Sequence, residues 1–202
     1  MTVESTVFLV DDDPAIRDSL RLLLESEGLR VMDFATAEEF LSHHDPKLPG
    51  CLVADLQMPG LSGLELQQHL LGNGVQRPML FLTGFGSISE AVQAIQGGAV
   101  DFLEKPVDAE TFLSRVQTAL ATDRQQRKNQ FRQQQMQQQF DTLTPREYEI
   151  IARVAVGQAN KVIAMELGIS ERTVELHRSR GMKKLQLRTV AELAKHWNEM
   201  QT

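Results

Sequence analysis

Four short runs in this chain each lead into a side chain able to handle charge. Val7–Val10 is followed by Asp11, Asp12 and Asp13; Cys51–Ala54 by Asp55; Met79–Leu82 by Thr83; and Asp101–Leu103, one residue on, by Lys105. Clustered carboxylates repel one another unless a cation joins them. Oxygen ligands at that density suit Mg²⁺, which binds through one or two carboxylates, keeps its waters and leaves room for a phosphate. Lys105 would add a positive charge on the opposite side, and Thr83 a hydroxyl that can donate to a phosphoryl oxygen. The chemistry this set could support is phosphoryl transfer to a carboxylate, with metal and ammonium neutralising charge on the transferred group. Taken singly, each residue has a plainer reading. Asp13 before Pro14 is a helix N-cap, an Asp after a strand is a loop residue, and Thr83 before Gly84 is turn chemistry. The convergence of all four run ends is what carries the signal.

A second set lies near the other end of the chain. Glu171–Leu185 reads as one helix and holds Arg172, Arg178, Arg180, Lys183, Lys184 and His177. Ser170 is its N-cap candidate, and the short link Gly168–Ser170 joins it to a preceding helix, Asn160–Leu167. Two short helices joined by a tight turn containing Gly describe a helix-turn-helix, whose second helix enters the DNA major groove. At 100° per residue, Val174, Met182 and Leu185 face one side while Glu175, Arg178 and Ser179 face the other. Glu175 can accept a hydrogen bond from cytosine N4, and the basic residues can neutralise phosphates. The bland alternative is a solvated basic face.

The elements that must position these groups follow from periodicity. Strand-like runs at Thr6–Val10, Arg30–Phe34, Cys51–Ala54, Met79–Thr83 and Asp101–Leu103 alternate with segments of helical period at 14–27, 37–43, 64–71, 87–97 and 109–122. In the first helix Asp13, Pro14 and Gly28 suit the N-cap, N1 and C′ positions. Five β/α alternations predict an α/β fold: a flavodoxin-like, doubly wound parallel sheet of strand order 2-1-3-4-5, covered on both faces. Ligands of such sheets bind beyond the carboxyl ends of the strands, where the acidic set falls. From residue 142 on there is no strand signal, and the pattern predicts an all-α helix-turn-helix domain of four helices, Pro145–Val156, Asn160–Leu167, Glu171–Leu185 and Thr189–Met200.

Between these halves runs DRQQRKNQFRQQQMQQQ (123–139), with nine glutamines and neither Gly nor Pro. It has no large apolar residue from Thr122 to Gln130, so no core face is expected there, but Gln and Arg favour helix. The reading is an exposed helical connector with Phe131, Met136 and Phe140 along one edge; a dimerising coiled coil is opposed by the missing heptads. Charge divides at the same place. Residues 1–122 carry 7 Lys+Arg against 18 Asp+Glu, a net of −11, and residues 123–202 carry 14 against 9, a net of +5. The total of −6 therefore does not argue against a nucleic-acid partner. Cys51 is the only cysteine, which excludes an internal disulfide and fits a reducing cytoplasm. No apolar run approaches the length of a membrane span, and the N-terminus, with Glu4, lacks the marks of a signal peptide.

The segments VFLVDDDP (7–14), LVADLQMPGLSGLEL (52–66), FLTG (81–84) and AVDFLEKP (99–106) resemble the receiver domain of bacterial response regulators. LTPRE (143–147) and GQANKVIAMELGISERTVELH (157–177) resemble the LuxR-type DNA-binding domain, which places the chain with the NarL/FixJ group, nearest FixJ-type regulators. The resemblance implies a receiver over 3–122, a Gln-rich helical linker over 123–141 and a helix-turn-helix domain over 142–202. It implies that Asp55 accepts a phosphoryl group from a sensor histidine kinase. Asp12, Asp55 and the backbone carbonyl of Gln57 would bind Mg²⁺, Asp11 largely through water. Thr83, Phe102 and Lys105 would form the switch, with a cis Lys105–Pro106 bond. Phe at position 102 excludes a switch that needs a phenolic hydroxyl. Glu175, Leu176 and Ser179 would contact bases; Lys161, Arg172, Thr173, His177 and Arg178 would hold phosphates. The last helix would serve a homodimer, although its Val190, Leu193 and Trp197 stripe also suits a core, and RNA polymerase is admitted as a further partner.

Other classes find less support. A phosphatase of the haloacid-dehalogenase type also uses an aspartyl phosphate, but wants a second Asp two residues on, where Gln57 stands. A receiver that no longer takes phosphate is opposed by the intact Asp55, Thr83 and Lys105, and a sigma-like promoter reader by the complete first half. His43, His44, His69 and His196 lie at no ligand spacing for zinc. Gly84 and Gly86 around Phe85 make no nucleotide loop.

Overall fold

The computed structural model describes residues 5–84 and 88–201. Val3 and Glu4, the Phe85–Gly86 pair, Ser87 at the expected start of the fourth helix and Thr202 lie outside the described residues. By contact density the chain divides into two units, 1–127 and 128–202.

In the first unit the strands are β1 (Thr6–Val10), β2 (Arg30–Phe34), β3 (Gly50–Asp55), β4 (Met79–Thr83) and β5 (Asp101–Glu104), in the order β2-β1-β3-β4-β5 and parallel throughout. Helices α1 (Pro14–Ser26), α2 (Ala37–His43), α3 (Gly63–Gly72), α4 (Ile88–Gln96) and α5 (Ala109–Asp141) follow them in turn. This is the doubly wound sheet expected from the alternation. Because side chains alternate along a strand, each central strand feeds two cores. Phe8, Val10, Leu52, Ala54, Met79 and Phe81 pack with Phe40 of α2, Leu66 and Leu70 of α3 and Ala94 of α4. Val7, Leu9, Cys51, Val53, Leu80 and Leu82 pack with Leu20 and Leu24 of α1 and Phe112, Val116 and Leu120 of α5. Burial on both faces explains why β1, β3 and β4 read as unbroken apolar runs.

Local capping fixes where the helices begin. Asp13 accepts from the amides of Ala15 (2.8 Å) and Ile16 (3.4 Å) to start α1, and Gly28, in the left-handed region at φ 73°, ends it. Ser62 and Glu65 form a reciprocal capping box on α3.

The connector departs from a uniformly solvated segment. It is helical without interruption as the continuation of α5. Asp123 is buried although no large apolar residue follows it before Phe131, because its partners are polar. Met136 and Phe140 are buried as well, whereas Phe131 is 62% exposed.

The second unit holds α6 (Pro145–Ala155), α7 (Asn160–Leu167), α8 (Glu171–Lys184) and α9 (Val190–Gln201). Phe140, Ile150, Ile151, Val154, Ile163, Val174, Leu185, Leu193 and Trp197 form its core. The stripe Val190, Leu193, Trp197 therefore serves this core: Leu193 is fully buried and Trp197 lies 5.8 Å from Phe140 and 5.7 Å from Tyr148, ring to ring. An interface on α9 would have to use its other face. Among the described residues no helix is long and apolar enough to cross a membrane.

Candidate functional site

The carboxyl edge of the sheet gathers the acidic set. Asp11 follows β1 and is fully buried; Asp55 ends β3 and is 8% exposed; Asp12 points to solvent. One carboxylate oxygen from each lies within 4.8 Å of the others. Lys105, after β5, reaches between them: its Nζ stands 2.6 Å from Asp11 Oδ2 and 2.6 Å from Asp55 Oδ2. Burial raises the Asp11 carboxyl above its ordinary range, against hydrogen bonds from Lys105 and the Asp13 amide that lower it. Burial opposes the charge on Lys105, but its bonds to Asp11 and Asp55 outweigh that and hold its pKa raised.

Backbone pairing places the other members. Asp55 pairs in register with Leu82, Thr83 with Glu104, and Phe81 with Phe102. Thr83 is thus carried to the same edge, buried, with its carbonyl accepting from the Lys105 amide at 2.6 Å. Phe102 is half-buried against the core on the α4 side. The Gln57 amide donates to Asp55 Oδ1 at 3.1 Å while its side chain is exposed. The Lys105–Pro106 bond is cis. One residue escaped the sequence reading: Arg17 of α1 donates to the Asp11 carbonyl at 2.6 Å and so braces the acidic loop from behind. Its i+6 spacing from Asp11 follows no local pattern that would have marked it.

The second unit brings the other set onto α7 and α8. Ser170 caps α8 by accepting from the Thr173 amide at 3.1 Å, and its hydroxyl meets that of Thr173 at 2.8 Å. The turn between α7 and α8 is made by Gly168 in the left-handed region at φ 62°. Gly181 lets α8 lie close on α6, since a Cβ there would stand 2.6 Å from Ile151 Cγ1. Lys161, Arg172, Glu175, Leu176 and Ser179 are exposed, and Thr173, His177 and Arg178 half-buried. Glu175, Arg178 and Ser179 line one shallow groove together with Asn160, Met182, Arg188 and Val190. Arg178 donates to the Asn160 side chain at 3.1 Å, and among the described residues the His177 Nδ1 is buried without a hydrogen-bond partner. Asn160 and Arg188 were missed: they come from neighbouring elements and meet the groove only through the fold.

Pairing sorts the cations of this unit. Lys184 does not belong to the unpaired basic set. Its Nζ lies 2.6 Å from the buried Glu147 of α6 and 3.1 Å from the Thr142 carbonyl. That bond, with the Thr144 amide next, holds the Glu147 carboxyl at about 2. Arg146 and Arg153 pair with Glu149, and Arg132 and Lys195 with Glu199. Lys161, Arg172, Arg180 and Lys183 enter no ion pair among the described residues.

Residues 7–117 match the family described as the response regulator receiver domain, and residues 141–197 the bacterial regulatory proteins of the luxR family. The chain is 42% identical to the transcriptional regulatory protein TdiR of Thauera aromatica over 94% of its own length and 83% of that protein's. It is 39% identical to the transcriptional regulatory protein FixJ of Azorhizobium caulinodans over 94% of this chain and 90% of the other. Among solved structures it is similar to the response regulator StyR, with a TM-score of 0.84 and 40% identity over 97% of this chain and 99% of that one.

Proposed function

Because the chain belongs to the response regulators, as a receiver joined to a LuxR-type DNA-binding domain, we propose that Asp55 is its phosphoacceptor and that the phosphoryl group controls how α8 engages promoter DNA. The observation that carries this reading is the reach of Lys105 to Asp11 and Asp55 at the carboxyl edge of the sheet, with Thr83 ending the adjacent strand. An Asp55 carboxylate oxygen attacks phosphorus as the bond to the donor's histidine nitrogen breaks. Lys105 neutralises charge on the transferred group, and the Thr83 hydroxyl donates to one of its oxygens. Phe102, paired with Phe81 two residues before the β4 end, follows Thr83 inward. The oxygens of Asp11, Asp12 and Asp55 fit a small hard cation. Mg²⁺ held there and by the Gln57 carbonyl would offset the charge of the acceptor and of the incoming phosphate. Self-catalysed transfer from a small donor and slow hydrolysis are the only chemistry this reading assigns to the chain.

The reading divides the protein into a phosphoacceptor segment over 3–122, a connector over 123–141 and a DNA-binding segment over 142–202. Its partners are a sensor histidine kinase, two-fold promoter DNA bound as a homodimer, and RNA polymerase; its place is the cytoplasm. The exposed Lys161, Arg172 and Glu175 with Leu176 and Ser179, and Thr173, His177 and Arg178 beside them, support α8 as the element that meets DNA. A small phosphodonor with Mg²⁺ should add one acid-labile phosphate to the wild type and none to Asp55→Asn. Equal labelling of both proteins would reject Asp55 as the acceptor.

A further inference from the structure

At the end of β3 opposite Asp55, the first unit holds a polar cluster with no part in phosphoryl chemistry. Asp123 stands on α5 just beyond the core residues Ala119 and Leu120 and is 2% exposed. Its Oδ2 accepts from the amide of Gly50, the first residue of β3, at 2.9 Å. Arg127, one turn further on, donates from Nε to both Asp123 oxygens at 2.9 and 3.0 Å. Its remaining donors reach the main-chain carbonyls of Pro46 (3.2 Å), Lys47 (3.0 Å) and Leu48 (2.7 Å). Arg77, buried and 4.3 Å over the Phe8 ring, donates to the Gly50 carbonyl at 3.3 Å. The Gly50 peptide is thus gripped from both sides, and its φ of 145° leaves no space for a side chain: a Cβ would lie 1.8 Å from the Thr6 carbonyl oxygen. Burial, and then the charge of Arg127, push Arg77 down to about 10, while Asp123 acts to raise it. Asp123 is therefore the ion-pair partner of Arg127, and at longer range it favours the charge of Arg77 together with Asp45.

A Gln- and Arg-rich helix leaving a core has no apolar anchor and frays from its free end. Here buried, charge-assisted bonds take the place of that anchor for two turns. The contact boundary of the first unit falls between Arg127 and Lys128, directly after this cluster.

We propose that Asp123 and Arg127 form a clasp that makes the start of the connector part of the receiver, so that articulation begins at Lys128 and the phosphorylation response passes through this fixed segment. The last clause rests on the reading of Asp55 as phosphoacceptor; the clasp itself does not.

Limited trypsinolysis of the full chain, followed by mass spectrometry, tests the clasp, because Arg124, Arg127, Lys128 and Arg132 all stand in the connector. Cleavage of a helix requires local opening, so its rate tracks the open population. Cutting after Lys128 and Arg132 should exceed cutting after Arg124 by about tenfold or more in the wild type. Asp123→Asn and Arg127→Gln should each raise the Arg124 rate by about tenfold and leave the Arg132 rate unchanged, with phosphate uptake at Asp55 retained as proof of fold. Equal rates after Arg124 and Lys128 in the wild type, or an unmoved Arg124 rate in both variants, overturn the clasp. The ratio of DNA affinities with and without acetyl phosphate should fall at least about threefold in Asp123→Asn. An unchanged ratio in a variant whose Arg124 site has opened overturns the coupling. A wild type whose DNA affinity ignores acetyl phosphate strikes the phosphoacceptor reading instead, and the protease map then decides the clasp alone.

Discussion

Replacing Glu147 by Gln removes one charge from the second unit and little else. The carboxylate is 4% exposed, accepts from Lys184 Nζ at 2.6 Å and from the Thr144 amide at 2.9 Å, and ties α6 to the end of α8. Lys184 is the larger cause of its fall from 4.5 to about 2. At about 1.4 kcal/mol for each pH unit, that fall sets a ceiling of about 3.5 kcal/mol. The Lys184 side chain is 37% exposed, so water screens the pair, and a loss of about 1–2 kcal/mol is expected at neutral pH. Gln keeps a neutral acceptor for the Thr144 amide. A carboxyl whose pKa is lowered on folding stabilises fully above its unfolded value and loses that contribution as pH falls through its folded value. The difference between the two proteins should therefore be complete above about pH 4.5 and fall by more than half at about pH 3. Trp197, the only tryptophan and part of the second unit's core, reports urea unfolding of that unit by its fluorescence. A difference of equal size at both pH values would refute the charge argument and assign the loss to packing.

Four further outcomes are expected. In Gly181→Ala, a helix-propensity gain of about 1 kcal/mol opposes overpacking of about 1–3 kcal/mol against the fully buried Ile151. A net loss by Trp197-monitored unfolding and weaker DNA binding are expected, and a net gain of about 1 kcal/mol would contradict the close approach of α6 and α8. A chelator should stop phosphate uptake from a small donor and leave the Trp197 unfolding midpoint where it was; a shifted midpoint would show that the metal acts outside the first unit's pocket. Arg178→Ala should reduce the slope of log affinity against log salt by about 1, and Glu175→Ala should relax base preference at one position, where a uniform loss over all sequences would make Glu175 structural.

The sheet and the acidic pocket were legible in the sequence because both rest on strand order. Once Val7–Val10, Cys51–Ala54 and Met79–Leu82 are read as buried parallel strands, Asp11, Asp55 and Thr83 must share an edge, and the register of β3 on β4 leaves no alternative. Periodicity also found α6 to α9. It could not find Asp123 and Arg127, whose burial rests on hydrogen bonds to residues more than seventy positions away and leaves no apolar period. Arg17, six residues from Asp11, and Asn160 and Arg188, on elements flanking α8, likewise leave no periodic signal. The Val190–Trp197 stripe was open between core and interface because an apolar helix face is identical in both; Phe140, brought in from the connector, and Tyr148 of α6 complete the core around Trp197.

Net charge is a weak guide to what a basic domain can bind until its pairs are known. The sequence puts fourteen Lys+Arg after residue 122, and composition treats them alike. In the second unit Arg132, Arg146, Arg153, Lys184 and Lys195 face acidic partners, and Arg127 in the first is held by Asp123. These side chains have their counter-charge already, so each neutralises a DNA phosphate less and displaces fewer of the counterions condensed on the DNA. Lys161, Arg172, Arg180 and Lys183 enter no ion pair among the described residues, and all four are exposed on α7 or α8. Most of the acidic residues of this unit lie on α6, α7 and α9, where they serve caps and pairs. On α8, Glu171 stands in the first turn, favourable to the helix dipole. Glu175 is then the one acid in the body of α8, set in the groove with Arg178 and Ser179. On the proposed DNA-facing reading of α8, such a carboxylate works against affinity in general, so its use there would be selective: it would repel a phosphate and accept from an amino group on a base edge.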